Sequence, residues 1–173
     1  MQKGFTIIEV LFAIFILALG VTGVFALVER IIPASATANS HLTAVYLAQE
    51  GNDIVRNIRD TNLLHLHKGI GADWKENLTS CALGCEIDHT YDAESPAFVD
   101  FQGDFETNGR FLLLNSDFYD YVSGTASIYK RKIIITDVDA DTLEVETTVW
   151  WKDQGKSKQV QATSEMYNWL QEI

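Results

Sequence analysis

Residues 3–14 read KGFTIIEVLFAI, and the apolar run that they open continues to Val28. Between Phe5 and Val28 the one ionisable side chain is Glu9. About 24 residues at about 1.5 Å each make a helix of about 36 Å, enough to cross a bilayer core of about 30 Å. A carboxylate in hydrocarbon costs about 2–3 kcal/mol even on lenient insertion scales, so Glu9 requires compensation. Lys3 precedes the run and Glu29 and Arg30 close it. That charge pattern favours an N-terminus in the cytoplasm and the remainder outside.

Three readings of this segment compete. A secretory signal peptide would end at a small-x-small site such as Ala18-Leu19-Gly20, but apolar sequence continues beyond it to Val28 and Glu9 interrupts the core. A plain single-pass anchor explains the length and leaves Glu9 as an uncompensated cost. A cut between Gly4 and Phe5 accounts for the acid. It creates an α-amino group on Phe5, one helical turn from Glu9. Within a subunit Glu9 then lies near the positive end of its own helix. Between staggered subunits it can neutralise the Phe5 amine of a neighbour. Such a buried pair adds little net stability, but breaking it is costly, which makes it a device for setting register.

The stretch KGFTIIEVLFAIFILALG, residues 3–20, resembles the N-terminal cleavage and methylation motif of type IV prepilins and pseudopilins. It has a short basic leader, Gly4 before the cut, Phe5 after it, an acid at Glu9 and an unbroken apolar helix. The resemblance implies cleavage after Gly4 by a membrane-embedded prepilin peptidase that also N-methylates Phe5. It implies assembly through Glu9 with other pilin or pseudopilin subunits, on a pilus assembly platform, after storage in membrane lipid. The implied location is the cytoplasmic membrane, then an extracytoplasmic or cell-surface filament.

The helical pattern resumes after Pro33, which cannot donate to the carbonyl of Glu29 and so predicts a kink or break. Ala36, Ala44, Leu47, Gly51, Ile54 and Ile58 fall on one stripe, with Gln49, Asp53, Arg56 and Asp60 opposite. Gly51 in that stripe suggests a backbone passing close by. LAQEGNDIVRNIRDTN (47–62) resembles the second helical half of minor-pilin-like prepilins. Residues 61–110 show no period and read as a loop region with one or two short strands, such as CEIDHTY. From Phe111 the pattern turns to strands. FLLL (111–114) is a short buried run, and SIYKRKIIIT (127–136), TLEVETTVWW (142–151) and KQVQATS (158–164) follow. Leu143, Val145, Thr147 and Val149 share one face. DVDAD (137–141) and Lys152–Lys156 make the turns. The expected fold is α+β, a long N-terminal helix packed on a C-terminal antiparallel meander. Its segments are a leader (1–4), a membrane or filament-core helix (5–32), an amphipathic helix (33–60) and a globular head (61–173).

The 173 residues carry a net charge of −11, which argues against general nucleic-acid binding. Cys81 and Cys85 are the chain's two cysteines. Beyond the membrane the compartment is oxidising, so they suit a disulfide, although closing so short a loop stabilises little. The rival is a metal site shared with His65, His67 or His89, for which four ligands would have to converge from separate loops. Asp137, Asp139 and Asp141 have calcium-like spacing, but Thr142 and Thr148 stand where a glycine and an acid are needed. A solvated hairpin turn is the better reading. Ser127–Lys130 fits S-x-x-K but lies in a strand pattern, without the companion motifs of that chemistry. No nucleophile, phosphate loop or cofactor motif suggests an enzyme. Tyr119, Tyr121, Trp150, Trp151 and Trp169 read as core or interface, with Trp150 and Trp151 on opposite faces. The alternative to a filament subunit is a membrane-anchored extracellular binding domain that never polymerises. In that case Met1 persists and Glu9→Ala leaves function intact.

Overall fold

The protein's computed structural model describes residues 4, 6–71, 73–92, 96–100 and 104–169. The chain divides into two units, Met1–Ser40 and His41–Ile173. Helix α1, Ile7–His67, supplies the helix of the first and the opening element of the second.

In the first unit the helix buries none of its most apolar 18-residue window. Ile7 is 83 % exposed and Ile32 67 %. A helix that is apolar all round and has nothing packed on it belongs in lipid or against other helices. Helical structure continues through Pro33, so the expected break is absent. The missing N–H removes one hydrogen bond, and the flanking turns keep theirs.

In the second unit α1 becomes one-sided. Ala44, Leu47, Ala48, Gly51, Ile54, Val55 and Ile58 are buried, at the spacing that lines one helical face. The helix runs on to His67 rather than ending near residue 60. The extra turns are anchored from outside: Leu63 is fully buried, and the Asn62 amide donates to the carbonyls of Trp74 (3.2 Å) and Glu76 (2.8 Å). Partners twelve or more residues away leave no local periodicity to read.

Strands β6 (Tyr129–Asp139), β7 (Thr142–Asp153) and β8 (Lys156–Tyr167) form an antiparallel meander. Two short strands, β1 (Cys85–Glu86) and β2 (Val99–Asp100), extend it to the order β2-β1-β6-β7-β8. The strands outrun the expected segments. The turns shrink to Ala140–Asp141 and to Gln154–Gly155, both of whose φ are positive (51° and 77°). Such two-residue turns match the twist of the flanking strands. On β7 the residues Leu143, Val145, Thr147, Val149 and Trp151 all face inward and are buried. They meet α1 in two clusters, one around Ile58, Ile133 and Val145 and one around Leu47, Val149 and Trp151.

A second sheet, absent from the sequence reading, has the order β4-β3-β5: β3 is Leu113–Asn115, β4 Phe118–Asp120 and β5 Thr125–Ala126. The run FLLL is not a buried unit. Leu112 is fully buried, while Phe111 is 48 % and Leu114 43 % exposed. Leu112, just before β3, is the one of the four that joins the core, in the cluster with Tyr129 and Val149. A single-turn helix, α2 (Phe105–Asn108), starts at Asp104, whose carboxylate accepts from Glu106 N–H, and it buries Phe105. The architecture is α+β, a long N-terminal helix followed by antiparallel sheets.

Candidate functional site

The N-terminal segment is built by Thr6. Its carbonyl accepts from the N–H groups of Glu9 (3.1 Å) and Val10 (3.2 Å), and its hydroxyl lies 3.4 Å from Glu9 N. This caps the first turn and sets Ile7 as the first helical residue. Glu9 is the acid of that turn, where unpaired N–H groups give the helix its positive end. Gly4 is exposed, and nothing stands within 4 Å of where a Cβ would be. Phe5 lies outside the described residues. The Thr22 hydroxyl donates to the Ala18 carbonyl, so the polar atom in the middle of the apolar run is satisfied within the helix.

A second polar constellation joins α1 to the sheet. Arg131 is fully buried. Its guanidinium donates to the carbonyls of Leu47 (3.1 Å) and Ile87 (2.8 Å) and pairs with Glu50 at 3.1 Å. Thr147 donates to Asn52 Oδ1 at 2.7 Å, and the Asn52 amide reaches the Ala162 carbonyl at 3.4 Å. Gly51 lies between. A Cβ there would stand 2.6 Å from Thr147 Cγ2 and 3.3 Å from Arg131 Cδ. The close neighbours of Gly51 are therefore side chains of β6 and β7, not a passing backbone. Tyr121 caps this network from the far side: its hydroxyl donates to the Arg131 carbonyl at 3.1 Å and its N–H to Asp88 at 2.5 Å. Burial pushes the Tyr121 phenol well above its ordinary range. Arg131 belongs to no motif in the sequence. Its signal was the strand alternation, which puts 131 on the face of Tyr129, Ile133 and Ile135.

Cys81 and Cys85 are bonded to each other, with Cα atoms 5.3 Å apart, so neither sulfur is a free thiolate for a metal. His89 sits apart from them, its Nδ1 3.2 Å from the Tyr119 carbonyl and its ring against Phe118. His65 and His67 occupy the last turn of α1. In the acidic turn the partner cation is the Lys75 ammonium. It pairs with Asp137 at 2.6 Å and also donates to the Asp139 carbonyl. Asp139 in turn accepts from Asp141 N–H at 2.9 Å. That bond, with help from Thr142, holds the Asp139 carboxyl below the usual range. Ser127 and Lys130 do not face each other as a catalytic pair. The Ser127 hydroxyl accepts from Tyr129 N–H, whereas the Lys130 ammonium donates to the Glu106 carbonyl at 2.6 Å. Trp150 and Trp151 fall on opposite faces, as alternation requires: Trp151 packs beside Tyr129 in the core, and Trp150 against Phe105 on the other side.

No curated protein and no solved structure matches the chain. Residues 1–25 match the family model described as the prokaryotic N-terminal methylation motif, and the chain thus carries the prepilin-type signal of type IV pilins and pseudopilins.

Proposed function

We propose that this protein is a structural subunit, a minor pilin or pseudopilin, of a type IV pilus or a related secretion or uptake filament. Prepilin peptidase cleaves it after Gly4 and methylates the new Phe5 amine. The apolar helix holds the subunit in the cytoplasmic membrane until the assembly platform extracts it. Extraction exchanges lipid for the helices of other subunits, so apolar surface stays out of water throughout. In the filament core Glu9 of one subunit meets the Phe5 amine of the next. The chain is substrate to processing enzymes and does no chemistry of its own.

One observation carries this reading: the methylation motif coincides with an acid in the first turn of a helix whose apolar surface has no cover. An uncompensated carboxylate there would only weaken a membrane anchor, whereas a partner amine created by cleavage turns it into a register mark.

The test is the mass of the N-terminal peptide taken from membranes and from shed fibres. The expected peptide starts at Phe5 and is heavier by one methyl group. Glu9→Ala is expected to leave cleavage intact and to abolish incorporation into fibres, with the protein accumulating in the membrane. A native chain that keeps Met1, or one that begins beyond residue 20, overturns the proposal.

A further inference from the structure

On the sheet face turned away from α1, a cavity of about 290 Å³ opens between Trp150, Phe111, Ile128, Lys130, Lys152 and Ser157. Its floor is rigid. Trp150 stacks on Phe105 with ring centroids 4.9 Å apart, and Lys130, buried, is tied by its ammonium to the carbonyls of Glu106 (2.6 Å) and Thr107 (3.3 Å). At the mouth Phe111 and Ile128 are 48 % and 45 % exposed. Most of the polar groups there are already spoken for, since the Ser157 hydroxyl donates to the Glu106 carboxylate. The exception is Lys152, which is exposed and makes no ion pair among the described residues. Drug-sized ligands and cofactors need about 300–1,000 Å³. A benzene ring fits in about 150 Å³. The cavity therefore suits one aromatic side chain with an acid next to it.

The same chain displays such a side chain elsewhere. The β3–β4 hairpin turns on Ser116 and Asp117, both at positive φ (47° and 78°). Phe118 follows, 64 % exposed, its ring resting on His89 at 5.5 Å. Asp117 is exposed and has no hydrogen bond or ion pair among the described residues. A lone exposed phenylalanine is ordinary. One fixed on a tight turn beside an unpaired acid is a preorganised anchor, which loses little freedom on binding. Neither Phe118 nor His89 lines the cavity, so anchor and socket are different patches. Where two such patches do not face each other across a two-fold axis, they make a head-to-tail contact that repeats into a ring or an open chain.

We propose that Phe118 of one copy of this chain enters the Trp150 cavity of another, with Asp117 meeting Lys152 at the mouth. The buried area is small, so the contact is weak singly and gains strength through repetition along an assembly. It requires no cleavage at Gly4 and is tested on the uncleaved chain, so its failure leaves the processing proposal standing.

The experiment is sedimentation of the full chain in detergent micelles over a range of concentrations. Wild type is expected to form a concentration-dependent series of species. Phe118→Ser and Ile128→Glu, both at exposed positions, are each expected to weaken association at least about tenfold while melting as wild type does. Mixed one to one, these two variants are expected to recover a species that stops at two copies, because only one intact anchor faces one intact socket. Asp117→Lys is expected to weaken association, and adding Lys152→Asp in the same chain to restore it. The proposal is overturned if Phe118→Ser sediments like wild type, or if the mixture associates no better than either variant alone.

Discussion

A methyl group added at Gly51 would press on Thr147 and Arg131, and neither can retreat. The Thr147 hydroxyl is committed to Asn52 and the Arg131 guanidinium to two carbonyls. Gly51→Ala should therefore lower stability by about 1–3 kcal/mol, the usual cost of overpacking, even though alanine favours helix by about 1 kcal/mol. Urea unfolding would measure it, and an unchanged midpoint would mean that the sheet yields. Asp120 gives a residue-scale prediction in pH. Its carboxylate accepts from the N–H groups of Ser123 (2.9 Å) and Val122 (2.8 Å), and these bonds hold its pKa below the ordinary value. A depressed acid contributes its stability above the unfolded value of about 3.9 and loses it as pH falls through the lower, folded one. Asp120→Asn should thus melt below wild type at pH 6, and the gap should close under acid. A gap that stays constant from pH 6 to pH 3 would assign the loss to packing instead.

The Cys81–Cys85 bridge spans a sequence separation of 4. Chain entropy for so short a loop gives about 2 kcal/mol. Replacing both cysteines by alanine should cost about that much in chemical denaturation, and a loss beyond about 4 kcal/mol would show that the half-cystines matter chiefly as core packing. Among the elements, the membrane helix and the meander were legible in the sequence because each repeats its own period over many residues. Leu143, Val145, Thr147 and Val149 all turned out buried as alternation implied. The elements that were missed have no period. Helix α2 is one turn, created by the Asp104 cap and the burial of Phe105. Strands β1 and β2 do fall in the stretch expected to hold one or two short strands, β1 within CEIDHTY itself, but at two residues each their bounds are set by pairing. The last turns of α1 depend on Asn62 reaching Trp74 and Glu76. The methylation signal was legible because it is local, whereas the Arg131 network was not, because its partners lie 44 and 84 residues away.

For the whole molecule, the two units make opposite demands on solvent. The first exposes an apolar helix along its length, while among the described residues the buried core begins at Ala44. The full chain should resist carbonate extraction from membranes and come out in detergent. A fragment of residues 41–173 should stay in solution and unfold in a single transition, and its precipitation or gradual melting would show that the core needs residues before 41. The polar fastening of α1 to the sheet also has a mechanical consequence. A tug on the helix meets a guanidinium and a hydroxyl whose partners are sealed from water, and no solvent molecule can relieve them one at a time. Such a joint does not creep under load; it holds up to a threshold and then fractures at once, a useful property in any subunit that has to transmit force.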